Sequence, residues 1–266
     1  MDDPRPIGIF DSGLGGLSVL KEVRRQLPDE SIIYFADQGH LPYGPRTLSE
    51  VRHFSEAITR FLLSENVKVV VIACNTASAA ALAYLRQTFP NASFVGMEPA
   101  VKPAAQRSQR RVIGVIATAA TFQGELFASV VDRFAQGVTV LTQACPELVT
   151  QVEAGELDTL RTRELAQAYL DPLIRCGIDS LVLGCTHFSF LTSVIARIVG
   201  PEVEIVDPAP AVARQVGRVI SRRRSSTTVA ATPKIRAYTS GEANVSRLAS
   251  VMAGEAIDFQ TKVLKF

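Results

Sequence analysis

The sequence is short of cysteine, long apolar runs and net charge, and each shortage removes a class of function. Four cysteines (Cys74, Cys145, Cys176 and Cys185) in 266 residues are too few for a disulfide framework. None of their spacings makes a CxxC or zinc pattern, so a reducing compartment, the cytoplasm, is expected. No stretch reaches the roughly 18 apolar residues of a membrane-spanning helix. The opening Met1-Asp-Asp-Pro-Arg-Pro6 lacks the basic and apolar regions of a secretory signal, so no leader and no membrane association are expected. The formal net charge of +2 argues for no nucleic-acid partner. Arg222, Arg223 and Arg224 form a short basic run that reads as a solvated helix end rather than a recognition patch.

With 47% hydrophobic residues, the chain can fill two domains of ordinary size or one large one. Short β-rich apolar runs alternate with helical patterns, which is the signature of parallel α/β architecture. Strands are expected over 6–10, 31–36, 67–73 and 93–96, with helices over 17–27, 47–64 and from 76 onward. The pattern then restarts. Strands over 111–118, 138–142, 180–184 and 203–206 repeat the first four in order, at offsets of 106 to 111 residues. Helices are expected from about 121, over 146–154 and 161–175, and after Asp207-Pro-Ala-Pro210 to about Arg222. A polar loop over 222–233 precedes a last strand, helix and strand. The predicted fold is α/β: two similar parallel-sheet domains related by pseudo-twofold duplication, with the active site in the cleft between them. The domains are read as 1–98, completed by 208–266, and 99–207.

Two stretches carry the chemistry. Val69-Val-Val-Ile-Ala-Cys-Asn-Thr-Ala-Ser78 and Asp179-Ser-Leu-Val-Leu-Gly-Cys-Thr-His-Phe-Ser189 are apolar runs that end in a cysteine. Catalytic groups in α/β sheets sit beyond strand C-termini, so each half is expected to place one thiol at the mouth of its sheet. A free cysteine is more often a small buried hydrophobe, but two at the same point of a repeated unit point to chemistry. Asn75, Thr76 and Thr186 read as helix N-caps, and a helix N-terminus lowers a thiol pKa. Cys145 and Cys176 lack that setting and read as structural.

The turn Asp11-Ser-Gly-Leu-Gly-Gly16 ends the first strand. Its glycines allow positive φ and bring backbone N–H groups near an anion. The GxxGG spacing is not the dinucleotide fingerprint and no Walker lysine follows, so a small carboxylate held by Ser12 and backbone donors is the expected guest. Asp11 then fits an ammonium, a thiol-tuning role or a local turn carboxylate. Pro42-Tyr-Gly-Pro45 lies on the same sheet edge, as a binding loop or an ordinary turn. His187 is an acid–base group or a partner orienting Cys185. His40 and His53 read as surface residues, and Asp37, Glu147 and Glu153 carry no local mark that separates them from solvated carboxylates.

These residues resemble the glutamate racemases of the cofactor-independent aspartate/glutamate racemase superfamily. The matching motifs are Gly8-Ile-Phe-Asp-Ser-Gly-Leu-Gly-Gly16, Asp37, Pro42-Tyr-Gly44, Ala73-Cys-Asn-Thr-Ala-Ser78, Ala144-Cys-Pro146, Val152-Glu153 and Leu183-Gly-Cys-Thr-His187. The resemblance implies interconversion of L- and D-glutamate by two cysteine bases without a cofactor, supplying D-glutamate for peptidoglycan. It implies Cys74 and Cys185 as catalysts, assisted by Asp11, His187 and Glu153. Asp11, Ser12, Pro42, Tyr43, Gly44, Asn75, Thr76, Thr118, Thr121, Thr186 and His187 are the implied substrate contacts, and a homodimer is the implied assembly. It also suggests that Cys74 serves the D enantiomer and Cys185 the L. The run Cys145-Pro-Glu-Leu-Val-Thr-Gln-Val-Glu153 departs from the family's more apolar pattern, with Glu147, Thr150 and Gln151 as candidates to alter a helix or a subunit contact. The alternatives are an aspartate or related amino-acid racemase, or a non-catalytic amino-acid-binding protein. A pyridoxal enzyme would need a lysine near a strand end, and Lys21, Lys68 and Lys102 are not so placed.

Overall fold

The structure, a computed structural model, describes residues 3–221 and 233–264. The basic run Arg222–Arg224 and nearly all of the polar loop over 222–233 lie outside the described residues. Strands β1 (Ile7–Asp11), β2 (Ile32–Ala36), β3 (Val69–Ile72) and β4 (Phe94–Gly96) come first. They are followed by β5 (Val112–Ala117), β6 (Thr139–Ala144), β7 (Ser180–Gly184) and β8 (Glu204–Val206), then β9 (Ile235–Thr239) and β10 (Phe259–Thr261). They form two sheets, ordered β10-β9-β2-β1-β3-β4 and β6-β5-β7-β8. Every pairing is parallel.

The order β2-β1-β3-β4 in the first sheet is matched by β6-β5-β7-β8 in the second, so the repeat seen in the sequence is a repeat of topology. The chain after β8 adds two strands, β9 and β10, to the first sheet alone. Residues of β1, β2, β3 and β7 are all buried, as their unbroken apolar runs require of strands covered on both faces. β6, with its threonines and glutamine, has no fully buried residue and lies at a sheet edge.

Parallel strands put all their C-terminal ends on one rim. In each sheet the connections change direction at the pair β1/β3 or β5/β7, and such a switch point opens a crevice at that rim. Asp11 ends β1, and Asp37 and Cys74 follow β2 and β3, at one rim. Thr118, Cys145 and Cys185 follow β5, β6 and β7 at the other. The two halves also share interior. Ile7, Leu17, Val212 and Val216 belong to one continuous apolar cluster with Leu148, Leu170, Cys185 and Phe188.

Three expectations are corrected. The helix expected from about 121 is two helices, Ala119–Gln123 and Glu125–Phe134, because Gly124 is extended (φ −73°, ψ 138°). A helix at Val101–Arg107 was not anticipated. After Cys185 the chain forms a 3₁₀ turn, Thr186–Leu191, and the α-helix begins only at Thr192.

Candidate active site

Cys74 and Cys185 line a single cavity of about 390 Å³, each reached from its own sheet. Ser12, Pro42, Tyr43, Gly44, Asn75, Thr76, Thr118 and His187 line it as well. Asp11, Thr121, Thr186 and Glu153 do not; Thr121 bonds Thr76 and Thr118, and Glu153 bonds His187, from behind the wall.

The surroundings of Cys74 differ from expectation. The helix Asn75–Thr88 is capped by the thiol itself, whose Sγ accepts from the Ala77 N–H at 3.4 Å, while Asn75 and Thr76 are already helical. The Cys74 thiol also reaches Ser12 Oγ at 3.8 Å. Burial pushes Cys74 above the ordinary thiol range and the Asp11 carboxylate adds to the shift; the Ala77 N–H only partly opposes them. Burial likewise raises Asp11, against the opposing pull of His187 and the Gly13 N–H. Thr186 Oγ1 donates to Asp11 Oδ1 at 3.3 Å, joining the end of β7 to the end of β1.

Cys185 sits in a different chemical setting. Thr186 makes no capping bond, and the neighbour that matters is His187, whose Nδ1 is 3.6 Å from Cys185 Sγ. The other ring nitrogen, Nε2, is 2.6 Å from Glu153 Oε1. An ionised carboxylate can only accept, so Nε2 carries a proton and Nδ1 is left to exchange one with the thiol. Burial pulls His187 down, but its bonds to Cys185 and Glu153 outweigh that and hold it well above the usual imidazole range. For Glu153, burial acts upward and the His187 bond downward, with a net lowering. Glu153 is therefore no solvated carboxylate.

The glycine-rich turn owes its composition to the side chains packed against it, Glu153 and His187 among them. Gly13 and Gly15 do not have positive φ. A Cβ at Gly13 would fall within the Glu153 carboxylate, and one at Gly15 would lie 2.5 Å from His187 Nδ1. The turn does bind an anion, but one supplied by the chain: the Leu14 N–H donates to Glu153 Oε1 at 2.7 Å.

Opposite, the peptide Leu41–Pro42 is cis, and Tyr43 O–H donates to Asp37 Oδ2 at 2.5 Å. Asp37 is fully buried, and His40 bonds it through Nδ1 at 2.8 Å while stacking on Phe54. His40 is thus part of this cluster rather than a surface residue, whereas His53 is exposed. Burial and Asp37 together raise Tyr43 well above the phenol range. Gly44 allows the loop to close on the second sheet, since a Cβ there would be 3.2 Å from that of Thr118. Thr76, Thr118 and Thr121 meet in a triangle of hydroxyls at 2.8, 2.9 and 3.2 Å, bridging the halves.

Glu147 and Thr150 line the cavity wall, so the departure in that helix bears on the site; Gln151 instead accepts from Thr162 Oγ1. Cys145 is fully buried, but Cys176 is exposed, contrary to a structural reading. Lys68, at the foot of β3, bonds Glu30 and the Asp3 carbonyl, far from any strand C-terminus. Pro146, from the motif Ala144-Cys-Pro146, also faces the cavity, as do Ala119 and Val149, which carry no sequence signal.

A family model described as Asp/Glu/Hydantoin racemase matches residues 7–216. A glutamate racemase of Roseiflexus sp. (strain RS-1) is 51% identical over 219 residues, 82% of this chain and 80% of the relative. Among solved structures, a glutamate racemase isoform of Bacillus anthracis superposes with a TM-score of 0.88 at 33% identity, covering 98% of this chain and 99% of that one. The glutamate racemase of Francisella tularensis, solved in complex with D-glutamate, gives a TM-score of 0.86 at 27% identity and covers 100% and 98%.

Proposed function

The chain belongs to the Asp/Glu racemase family, and from that premise we propose that it interconverts L- and D-glutamate with Cys74 and Cys185 as opposed bases. The observation that carries this reading is the entry of two thiols, from equivalent strand ends of two sheets, into one cavity. The Asn75 amide, buried with neither polar atom partnered among the described residues, supplies unused hydrogen-bonding capacity on the cavity wall.

In the proposed reaction, one cysteine as thiolate takes the Cα proton from one face. The other, as thiol, delivers a proton to the opposite face, so the substrate neither gains nor loses atoms. On the Cys185 side, His187 Nδ1 holds the thiol proton, and the imidazolium, fixed by Glu153, pairs with the thiolate. On the Cys74 side, the substrate ammonium next to Asp11 offsets the negative charge that otherwise disfavours the thiolate. Ser12, Tyr43, Gly44, Asn75, Thr76 and Thr118 hold the carboxylates and Pro42 shapes the wall, while Thr121, through Thr76 and Thr118, and Thr186, through Asp11, support them from behind. Cys74 is assigned to the D and Cys185 to the L enantiomer. The same reading places the product D-glutamate in peptidoglycan synthesis, the enzyme in the cytoplasm and the assembly as a homodimer.

The test is proton NMR of L-glutamate in deuterated water with purified protein and no added cofactor. Loss of the α-proton signal, with D-glutamate detected by a chiral assay, is the expected result. An unchanged spectrum from folded, reduced protein would overturn the assignment, and an aspartate panel would then test the nearest rival. Cys74→Ser and Cys185→Ser should each abolish racemisation; full activity in either would sink the two-base scheme.

A further inference from the structure

Glu153 divides its two oxygens between different tasks. Oε1 accepts from the Leu14 N–H at 2.7 Å and from His187 Nε2 at 2.6 Å. Oε2 accepts from the side-chain amide of Gln38 at 2.7 Å. The Glu153 side chain is only 10% exposed, so water is a poor substitute for that amide. Gln38 does not line the cavity. It is held firmly from behind: next to it, Asp37 accepts from Ser240 Oγ at 2.5 Å, and the Gly39 N–H donates to the same Ser240 oxygen at 2.9 Å. Gly241 lies against Gln38, where an added Cβ would come within 2.8 Å of the Gln38 Cβ.

We propose that Gln38 is a positioning residue for the Cys185 half of the site, acting through Glu153 and His187. An ionised carboxylate offers no donor, so the amide nitrogen is the group that faces Oε2. A neutral donor fixes the carboxylate plane without neutralising its charge, whereas an arginine or lysine there would compete with His187 for it. With Oε2 held by Gln38, Oε1 is left to the Leu14 N–H and to His187. The imidazole is then kept with Nε2 toward Glu153 and Nδ1 toward Cys185 Sγ. Without the amide, the carboxylate is free to turn and the bias on His187 weakens. The proposal rests on Cys185 being one of the two working thiols.

The experiment measures alkylation of each cysteine by iodoacetamide across about pH 6 to 9. Peptide mass spectrometry provides the readout, and exposed Cys176 serves as the internal reference. Gln38→Met keeps the length and removes the donor. It is expected to slow alkylation of Cys185 about tenfold at neutral pH and to move its profile to higher pH, leaving Cys74 and Cys176 unchanged. Gln38→Glu provides a second readout. Protonated, the introduced carboxyl donates as the amide does, so Cys185 should approach parental behaviour at the acid end and diverge as pH rises. A parental Cys185 profile in both variants would overturn the proposal, as would equal slowing of Cys74 and Cys185. Alkylation requires no turnover, so failure of glutamate racemisation would be recognised separately from failure of the Gln38 role.

Discussion

Asn75 keeps a polar amide out of water without partners among the described residues, a cost of about 1–3 kcal/mol for each unmet group. A substrate-binding role explains why the cost persists, because bound ligand would supply the missing bonds. Asn75→Ala should therefore leave the melting temperature of the free protein unchanged or raise it, while increasing the KM for glutamate at least about tenfold. A lowered melting temperature with normal KM would make Asn75 structural. The Glu153–His187 pair gives a prediction of opposite sign. His187 is raised, so its contribution is fully present below the ordinary 6.5 and is lost as pH rises through its higher folded value. Glu153 is lowered, so its contribution is fully present above the ordinary 4.5 and is lost as pH falls through its folded value. Glu153→Gln should cost about 3 kcal/mol between those two pH values and less on either side. Thermal denaturation at stepped pH checks this, and a pH-independent loss would refute it.

Ser240 closes the turn after β9 onto the turn after β2, through Asp37 and the Gly39 N–H. Ser240→Ala should cost about 1–3 kcal/mol in stability. It should also raise KM, because Asp37 loses a partner that fixes it beneath Tyr43. Calorimetry and steady-state kinetics would read the two effects; a stability loss with unaltered KM would detach this turn from binding. At this scale the sequence was readable where burial is two-sided. The unbroken runs at 69–72 and 180–184 could be little else than strands of a covered parallel sheet. Equivalent thiols were visible because each follows such a run. Illegible were features set by partners distant in sequence. Gly13 reads as a flexible turn residue, yet it is glycine because Glu153, supplied by another helix, fills the space where its side chain would be. Glu153 looked ordinary because its bond to Leu14 spans 139 residues, and no local pattern encodes that. The matching context of the two thiols also concealed their difference: Cys74 caps an α-helix, while Cys185 enters a 3₁₀ turn beside His187.

The two sheets are separate in hydrogen bonding but share one apolar interior, with Ile7 and Leu17 in the same cluster as Leu170 and Phe188. Neither half can expose its share without stripping the other, so unfolding should be a single transition despite the length of the chain. Differential scanning calorimetry would show one peak with matching calorimetric and van't Hoff enthalpies; two resolved peaks would mean the halves melt independently. The return of the chain from the second sheet to the first also sets an order of assembly on the ribosome. β8 ends at Val206, so the second sheet has all its strands before β9, at Ile235–Thr239, has been made. Until then β2 presents an open edge, the kind of template on which nascent chains pair wrongly. Of the two sheets, the one made first is thus the last to be sealed, and the nascent chain needs protection longest there.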